Sequence, residues 1–164
     1  SSSGEKIEAR SNSIAVFDVN PATSDRYILL GLSIEYYVYD TNNQFLSDIY
    51  SVLDKNSILM LHKIKRKSKF YDKRYLKKVE RLSEKTNYIR VDPNIDALLV
   101  VQKTKACISI PFTSTALIAK NEGKPSVYYD PTGMIQKDDR AAHGIQVLNN
   151  INELEEWVKR ISNM

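Results

Sequence analysis

Residues 106–133 read ACISIPFTSTALIAKNEGKPSVYYDPTG, and this stretch decides the fold. Four of its first five residues are apolar and two are β-branched, which is typical of a buried strand. Pro111 ends that run because proline has no amide proton to give to a central sheet. Three hydroxyl residues, 113–115, then precede a short helical segment at 116–121, and a second apolar run follows at 126–129. The stretch therefore predicts one strand-helix-strand step of a parallel sheet.

The hydroxyl residues at the start of the predicted helix are Thr113, Ser114 and Thr115. A helix N-terminus presents unpaired amides and the positive end of the helix dipole, and both favour a bound phosphate. In open α/β sheets, ligands bind beyond the carboxyl ends of the strands, where this turn is expected. From the local pattern alone, capping of the helix by Thr113 or Ser114 is the more ordinary role, because capping requires no ligand.

Strand and helix patterns alternate along the rest of the chain. Strands are predicted at 13–19, 57–64, 88–91 and 145–148, and helices at 44–55, 74–85, 95–103 and 151–161. Most strand runs are continuously apolar, as in strands covered on both faces. We expect a single α/β domain over 13–162: a Rossmann-like, doubly wound, mostly parallel sheet of five or six strands flanked by helices. Residues 1–12 are expected to be a flexible lead-in.

Composition and missing motifs exclude several classes. With 42% hydrophobic and 27% charged residues in a chain of 164, a folded core is expected and global disorder is not. No apolar stretch approaches the roughly 20 residues of a membrane-spanning helix. Cys107 is the single cysteine, which excludes an internal disulfide and suits a reducing, cytoplasmic compartment. The chain has neither a glycine-rich dinucleotide loop nor a phosphate-binding P-loop, and it lacks metal-ligand spacing and a nucleophile elbow.

A basic cluster follows the strand predicted at 57–64. Residues 63–78 contain nine Lys or Arg and one acid, a net +8, whereas the whole chain carries +4, so the remainder carries −4. A solvated basic face is the ordinary interpretation of such a cluster. Nucleic-acid binding is an alternative, because Tyr71 and Tyr75 are interleaved with the cations. His62, just before the cluster, could donate to a phosphate or be satisfied within its own strand.

Two motifs in this chain carry a family resemblance. The sequence PFTS at 111–114, followed by ALIAKNEGKPSVYYDPTG at 116–133, resembles the signature of bacterial surface-polysaccharide biosynthesis proteins known by a PFTS motif. These proteins are similar to GT-B glycosyltransferases. The resemblance covers roughly residues 40–135 and includes the upstream basic residues. Its core is specific, because PFTS, Gly-Lys-Pro and Tyr-Tyr-Asp-Pro-Thr-Gly occur together and in order.

The resemblance implies that 13–162 is the C-terminal, nucleotide-sugar-binding half of a two-domain GT-B glycosyltransferase. The implied donor is CMP-linked in preference to UDP-linked, as in similar enzymes that use CMP-activated sialic acid or related acidic sugars. The acceptor, a glycan or a lipid-linked glycan, and the catalytic base would belong to an N-terminal domain outside this chain. No metal, cofactor or specific nucleic acid is implied. We expect a cytoplasmic protein, peripheral to the inner face of the membrane.

The resemblance also assigns site residues. Donor-phosphate binding carries over to two loops: His62, Lys63, Lys65 and Arg66 in one, and Thr113, Ser114 and Thr115 in the other. Contacts to the donor sugar or base are expected from Pro111, Phe112, Tyr129 and Asp130. Asp130 is included because it ends a predicted strand on the expected ligand edge of the sheet. Lysine offers a point charge and arginine a bidentate fork to phosphate, so these cations would neutralise the charge on a departing phosphate.

Two other functions remain open at this stage. The first is a non-enzymatic α/β module whose basic cluster binds nucleic acid or an acidic membrane surface, with binding that weakens steeply as salt increases. The second is one half of a sugar-nucleotide epimerase. An epimerase would need a carboxylate near the hydroxyl turn, and the helix predicted at 116–121 contains none.

Overall fold

A computed structural model describes residues 12–21, 38–64 and 72–164 of the chain. Its strands are β1 (Ser13–Phe17), β2 (Leu59–Lys63), β3 (Tyr88–Val91), β4 (Ala106–Ser109), β5 (Ser126–Tyr129) and β6 (Gln146–Leu148). All six pair in parallel, in the order β3-β2-β1-β4-β5-β6. This is the order of a doubly wound Rossmann-like sheet, so the predicted fold class is confirmed.

Helices cover both faces of the sheet. They are α1 (Tyr39–Lys55), α2 (Lys73–Ser83), α3 (Ala97–Gln102), α4 (Thr115–Asn121) and α5 (Ile151–Ser162). Helices α1, α2 and α5 pack on one face, where their side chains share a core with Ile14 and Val16 of β1. Helices α3 and α4 cover the other face, together with Ala15 and Phe17. Alternate residues of β1 thus supply two different cores, as expected for a strand buried on both sides.

Most predicted elements occur within a few residues of their expected bounds, but two differ in how they begin. Helix α1 starts at Tyr39, several residues before the predicted start at 44. Helix α3 is capped by Asp96, whose Oδ1 accepts a hydrogen bond from the Leu98 amide at 3.0 Å. Residues 92–94, which directly precede the helix predicted at 95–103 and would be expected to cap it, therefore do not do so. Asp92 instead accepts from the Asn94 amide and closes a turn after β3.

The chain reverses direction across the sheet between β1 and β4. From β1 the chain adds β2 and β3 on one side, and it then crosses back to add β4, β5 and β6 on the other. Strands β1 and β4 are direct neighbours, with Phe17 opposite Ser109 at their carboxyl ends. In this class of fold, the crevice outside those ends is where ligands bind. No helix within the described ranges is long and apolar enough to cross a membrane.

Candidate functional site

A cavity of about 470 Å³ opens at the carboxyl ends of β1 and β2, beside the turn that follows β4. We call it the switch-point crevice. Its walls are formed by Phe17, Asp18, Val19, Lys63, Ala97, Phe112, Thr113, Ser114 and Thr115. The fold therefore brings together one cation of the predicted basic loop and all three residues of the predicted hydroxyl turn. These two groups are about 50 positions apart in sequence and share one wall only because their strands end at the same edge.

Two of the three hydroxyl side chains bond to their own loop. Thr113 Oγ1 donates to the carbonyl oxygen of Ile110 at 2.9 Å and lies 3.2 Å from Thr115 Oγ1. Thr115 Oγ1 in turn lies 3.1 Å from Ser109 Oγ at the end of β4. This chain of hydroxyls fixes the loop geometry without contacting the amides of α4.

Ser114 differs from its two neighbours. It occupies the N-cap position of α4, but its hydroxyl makes no capping hydrogen bond among the described residues, and its side chain is exposed. Capping by Thr113 or Ser114, the more ordinary expectation, is therefore wrong. The Ser114 hydroxyl can both donate and accept, and it faces the crevice.

Lys63 is the last residue of β2 and is half-buried in the crevice wall. Its Nζ atom donates to the carbonyl oxygen of Pro93 at 3.2 Å, and Pro93 lies in the turn that follows β3. This bond ties the ammonium group to the carboxyl edge of the sheet. A lysine held in this way presents a positioned point charge, which suits an anionic group in the crevice.

Phe112 adopts a left-handed backbone conformation, with φ of +65°. Such a conformation costs a non-glycine residue about 1–2 kcal/mol. It leaves the ring 37% exposed at the crevice, 6.0 Å from the ring of Tyr128. Tyr128 also donates from its hydroxyl to the carbonyl oxygen of Thr113 at 2.9 Å, so β5 holds the turn in place. Strain in a bulky residue at a crevice is characteristic of functional sites.

Other residues assigned by the resemblance lie outside the crevice wall. Tyr129 is buried against α1, where its hydroxyl donates to Asp48 Oδ2 at 2.6 Å. Asp130 is also buried, and its carboxyl accepts hydrogen bonds from the amides of Thr132 and Ile135, both at 2.9 Å. Both side chains are therefore engaged in holding the structure around β5.

Four of the predicted site residues remain to be placed. Pro111 is buried at the end of the β4 segment and is not part of the crevice wall. Lys65 and Arg66 lie outside the described residues. His62 is wholly buried on the α1 and α2 face of the sheet, away from the crevice, and contacts Asp18 and Tyr88.

Asp18 is the residue that sequence reasoning missed. It directly follows β1, contributes to the crevice wall and is only 1% exposed. Its carboxyl accepts hydrogen bonds from Asn42 Nδ2 and from the Tyr75 hydroxyl, each at 2.9 Å to Oδ2. His62 Nε2 lies 3.1 Å from Asp18 Oδ1, outside the angular range of a hydrogen bond. An acid that ends an otherwise apolar strand, as in SIAVFDV, was the available signal.

Burial within this network shifts the pKa values of two tyrosines. Burial, followed by the nearby Asp18 carboxyl, raises the pKa of Tyr75 well above its ordinary value. The same two causes, in the same order, raise the pKa of Tyr88. Both hydroxyls therefore stay protonated, so the Tyr75 hydroxyl is a donor to Asp18, and the Tyr88 hydroxyl can donate to His62 Nδ1 over 2.6 Å.

A family model described as polysaccharide biosynthesis PFTS motif protein matches residues 1–158. Neither a curated protein nor a solved structure is similar enough to match. The resemblance inferred from residues 111–133 is therefore confirmed at the level of the family. Three of the four residues of the PFTS sequence, Phe112, Thr113 and Ser114, form part of the crevice wall.

Proposed function

We propose that this chain, which belongs to the polysaccharide biosynthesis PFTS motif family, binds the nucleotide-sugar donor of a glycosyltransferase. One observation supports this proposal above the others. The family's own motif lines a crevice at the switch point of a Rossmann-like sheet, together with a lysine from the neighbouring strand. A donor molecule needs a cavity of this kind: concave, apolar on one side and equipped with a few directed polar groups.

The donor phosphate would bind between Lys63 and Ser114. Lys63 supplies a fixed positive charge, and the Ser114 hydroxyl is not used to cap α4. Thr113 and Thr115 would hold the loop, since their hydroxyls bond to each other and to the end of β4. The resemblance extends phosphate binding to Lys65 and Arg66.

Phe112 would contact the donor sugar or base. Its exposed ring offers an apolar face beside the phosphate-binding hydroxyls, and aromatic faces commonly pack against sugar and base rings. Pro111, Tyr129 and Asp130 would support the turn from behind, because their side chains are buried. His62 would act through Asp18, which it contacts beneath the crevice.

The chemical step would be transfer of the sugar to an acceptor hydroxyl. The bond between the anomeric carbon and the phosphate oxygen breaks, and a bond from the acceptor oxygen to that carbon forms. The hydroxyl proton passes to a base, which the resemblance places in another domain. Negative charge grows on the departing phosphate, so a lysine and hydroxyl donors placed there would stabilise the transition state. The resemblance favours a CMP-linked donor.

Calorimetric titration of the chain with CMP, UDP and GDP tests this proposal. We expect saturable binding that is tightest for CMP. Ser114→Ala and Lys63→Met should each weaken it about tenfold or more, as for a lost hydrogen bond to a charged group. Ser51→Ala and Lys159→Met are matched controls, because both residues are exposed on helices of the opposite face. Absence of saturable binding, or equal losses in controls and site variants, would overturn the proposal.

A further inference from the structure

The outward face of α2 is basic. Residues 72–85 contain six Lys or Arg and three acids, so this segment carries a net charge of +3. The apolar side chains of the helix, Tyr75, Val79 and Leu82, are buried against the sheet. Its cations therefore lie on the solvent side, together with two carboxylates. A shallow groove of about 430 Å³ there is lined by Tyr39, Arg74, Lys77, Glu80, Arg81 and Glu84.

This arrangement opposes the stability of the helix itself. Lys73 and Lys77, and likewise Lys77 and Arg81, are like charges four residues apart, which destabilises a helix. The first turn itself contains no acid, and the negative charge at this end of the helix comes from the N-cap Asp72, whose carboxyl accepts from the Arg74 amide at 2.9 Å. Among the residues that the structure describes, Arg74 is the only cation of α2 with a carboxyl within ion-pair distance, Asp72 at 2.7 Å. In the described part of the chain, the exposed charges of Lys77 and Arg81 have no close carboxyl partner, so they can face an external anion.

Lys78 experiences repulsion from neighbouring cations. It is half-buried between α1 and α2, where its ammonium donates to the hydroxyl of Ser47. Burial lowers the pKa of Lys78, and the charges of Arg81 and Lys85 lower it further. Among the described residues no carboxyl lies within ion-pair distance of Lys77, Lys78 or Arg81. An anion placed against this face would relieve that repulsion.

We propose that the basic outward face of α2 docks the protein on an anionic membrane surface, through the phosphate groups of its lipids. Lysine and arginine side chains near such a surface each add to binding and lose their effect as salt is raised. The switch-point crevice would stay accessible, because α3 and α4 flank it from the other face of the sheet. This docking is independent of the proposed donor site.

A lipid surface fits this face better than a nucleic acid does. Single-stranded nucleic acid binds through aromatic side chains interleaved with cations. Tyr75, one of the two tyrosines that suggested such interleaving, is 1% exposed and contacts Asp18 inside the fold. The other, Tyr71, lies outside the described residues. The Arg74 guanidinium lies over the ring of Tyr39, 4.4 Å from the centre of that ring. A cation therefore already occupies the face on which a base would stack.

The test is co-sedimentation of the chain with phosphatidylcholine vesicles, with and without phosphatidylglycerol, over a salt series. Lys73→Gln, Lys77→Gln and Arg81→Gln are combined in one variant. All three residues are exposed, so the fold should tolerate the change, and a thermal melt checks that it does. The matched control combines Lys105→Gln, Lys120→Gln and Arg140→Gln, which removes the same charge from elsewhere on the domain.

We expect binding that requires phosphatidylglycerol and weakens as salt rises. The α2 variant should bind about 100-fold more weakly, and the control variant should bind as the natural chain does. Equal losses in the two variants would mean that net charge alone matters, and would overturn the proposal. Binding that ignores phosphatidylglycerol would also overturn it. The proposal would likewise be overturned if a single-stranded RNA bound to this face and the vesicles did not.

Discussion

Nε2 of His62 lies 3.1 Å from Oδ1 of Asp18, and both side chains are wholly buried. The Asp18 carboxyl also accepts from Asn42 and Tyr75, and His62 reaches the Tyr88 hydroxyl through its other ring nitrogen. Four elements, β2, β3, α1 and α2, thus converge on the residue where β1 leaves the sheet. The network fixes one wall of the crevice from beneath.

Removing the Asp18 carboxyl should destabilise the domain strongly. Asp18→Ala leaves the buried donors of Asn42 and Tyr75 without the carboxyl that accepts from them. Each unsatisfied group costs about 1–3 kcal/mol, so the free energy of unfolding should fall by about 2 kcal/mol or more. Urea denaturation followed by circular dichroism measures it. Asp138→Ala, at an exposed loop position, is the control, and a loss as small as the control's would contradict the account.

Ser114→Ala should leave stability unchanged while it weakens donor binding. Loss of a serine N-cap normally costs about 0.5–2 kcal/mol, but the Ser114 hydroxyl caps no amide of α4. We therefore expect a change in the free energy of unfolding below about 0.5 kcal/mol, typical of a surface position. Asn150→Ala is the positive control, since that side chain accepts from the Glu153 amide at the start of α5. A comparable loss of unfolding free energy in both variants would show that the Ser114 hydroxyl does cap α4.

Phe112→Gly should be more stable than Phe112→Ala. Both variants lose the ring, but only glycine adopts the left-handed conformation freely, and alanine keeps a strain of about 1–2 kcal/mol. Urea denaturation of the pair isolates the backbone contribution, because the ring contact with Tyr128 is absent from both. Equal stabilities would show that position 112 does not hold a left-handed conformation. Donor binding should weaken in both variants.

Stability should fall as pH rises above about 9. Burial raises the pKa of the Cys107 thiol to about 12, and it also raises the pKa values of Tyr75, Tyr88 and Tyr129. The folded protein therefore keeps protons that the unfolded chain releases, first near pH 8.5 from cysteine and then near pH 10 from tyrosine. Each such proton lowers the free energy of unfolding by about 1.4 kcal/mol per pH unit.

Urea midpoints measured from pH 7 to pH 11 check the alkaline prediction. We expect a flat profile at the neutral end and an increasing loss at the alkaline end. In Cys107→Ala the first part of the loss, near the cysteine pKa of about 8.5, should disappear while the tyrosine part remains. A profile that stays flat throughout would mean that these side chains are exposed in solution.

The fold was largely predictable because its signals are local. The stretch 106–133 contains a whole strand-helix-strand step, and continuous apolar runs mark strands buried on both faces. The crevice followed from the same logic, since parallel strands end at one edge of the sheet. Lys63 and the hydroxyl turn lie together in the crevice for this reason, although about 50 residues separate them.

Side-chain direction was the part that the sequence could not supply. His62 and Lys63 are adjacent, but successive strand residues point to opposite faces, so Lys63 lines the crevice and His62 enters the core. The pattern does not say which face holds the ligand. The direction of the Tyr129 side chain was not predictable for the same reason, and it lies on the face of β5 that packs against α1. The Asp18 network was missed because its members come from five separate segments.

Mapping of nucleotide binding by NMR tests the central claim most directly. The amide spectrum of the labelled chain is recorded during a titration with CMP. We expect saturable shifts at Phe17, Asp18, Lys63 and 112–115, around the switch-point crevice, and none along α5. Shifts confined to α2, or saturable binding that leaves the crevice amides unmoved, would contradict a donor site at the end of β1 and β4.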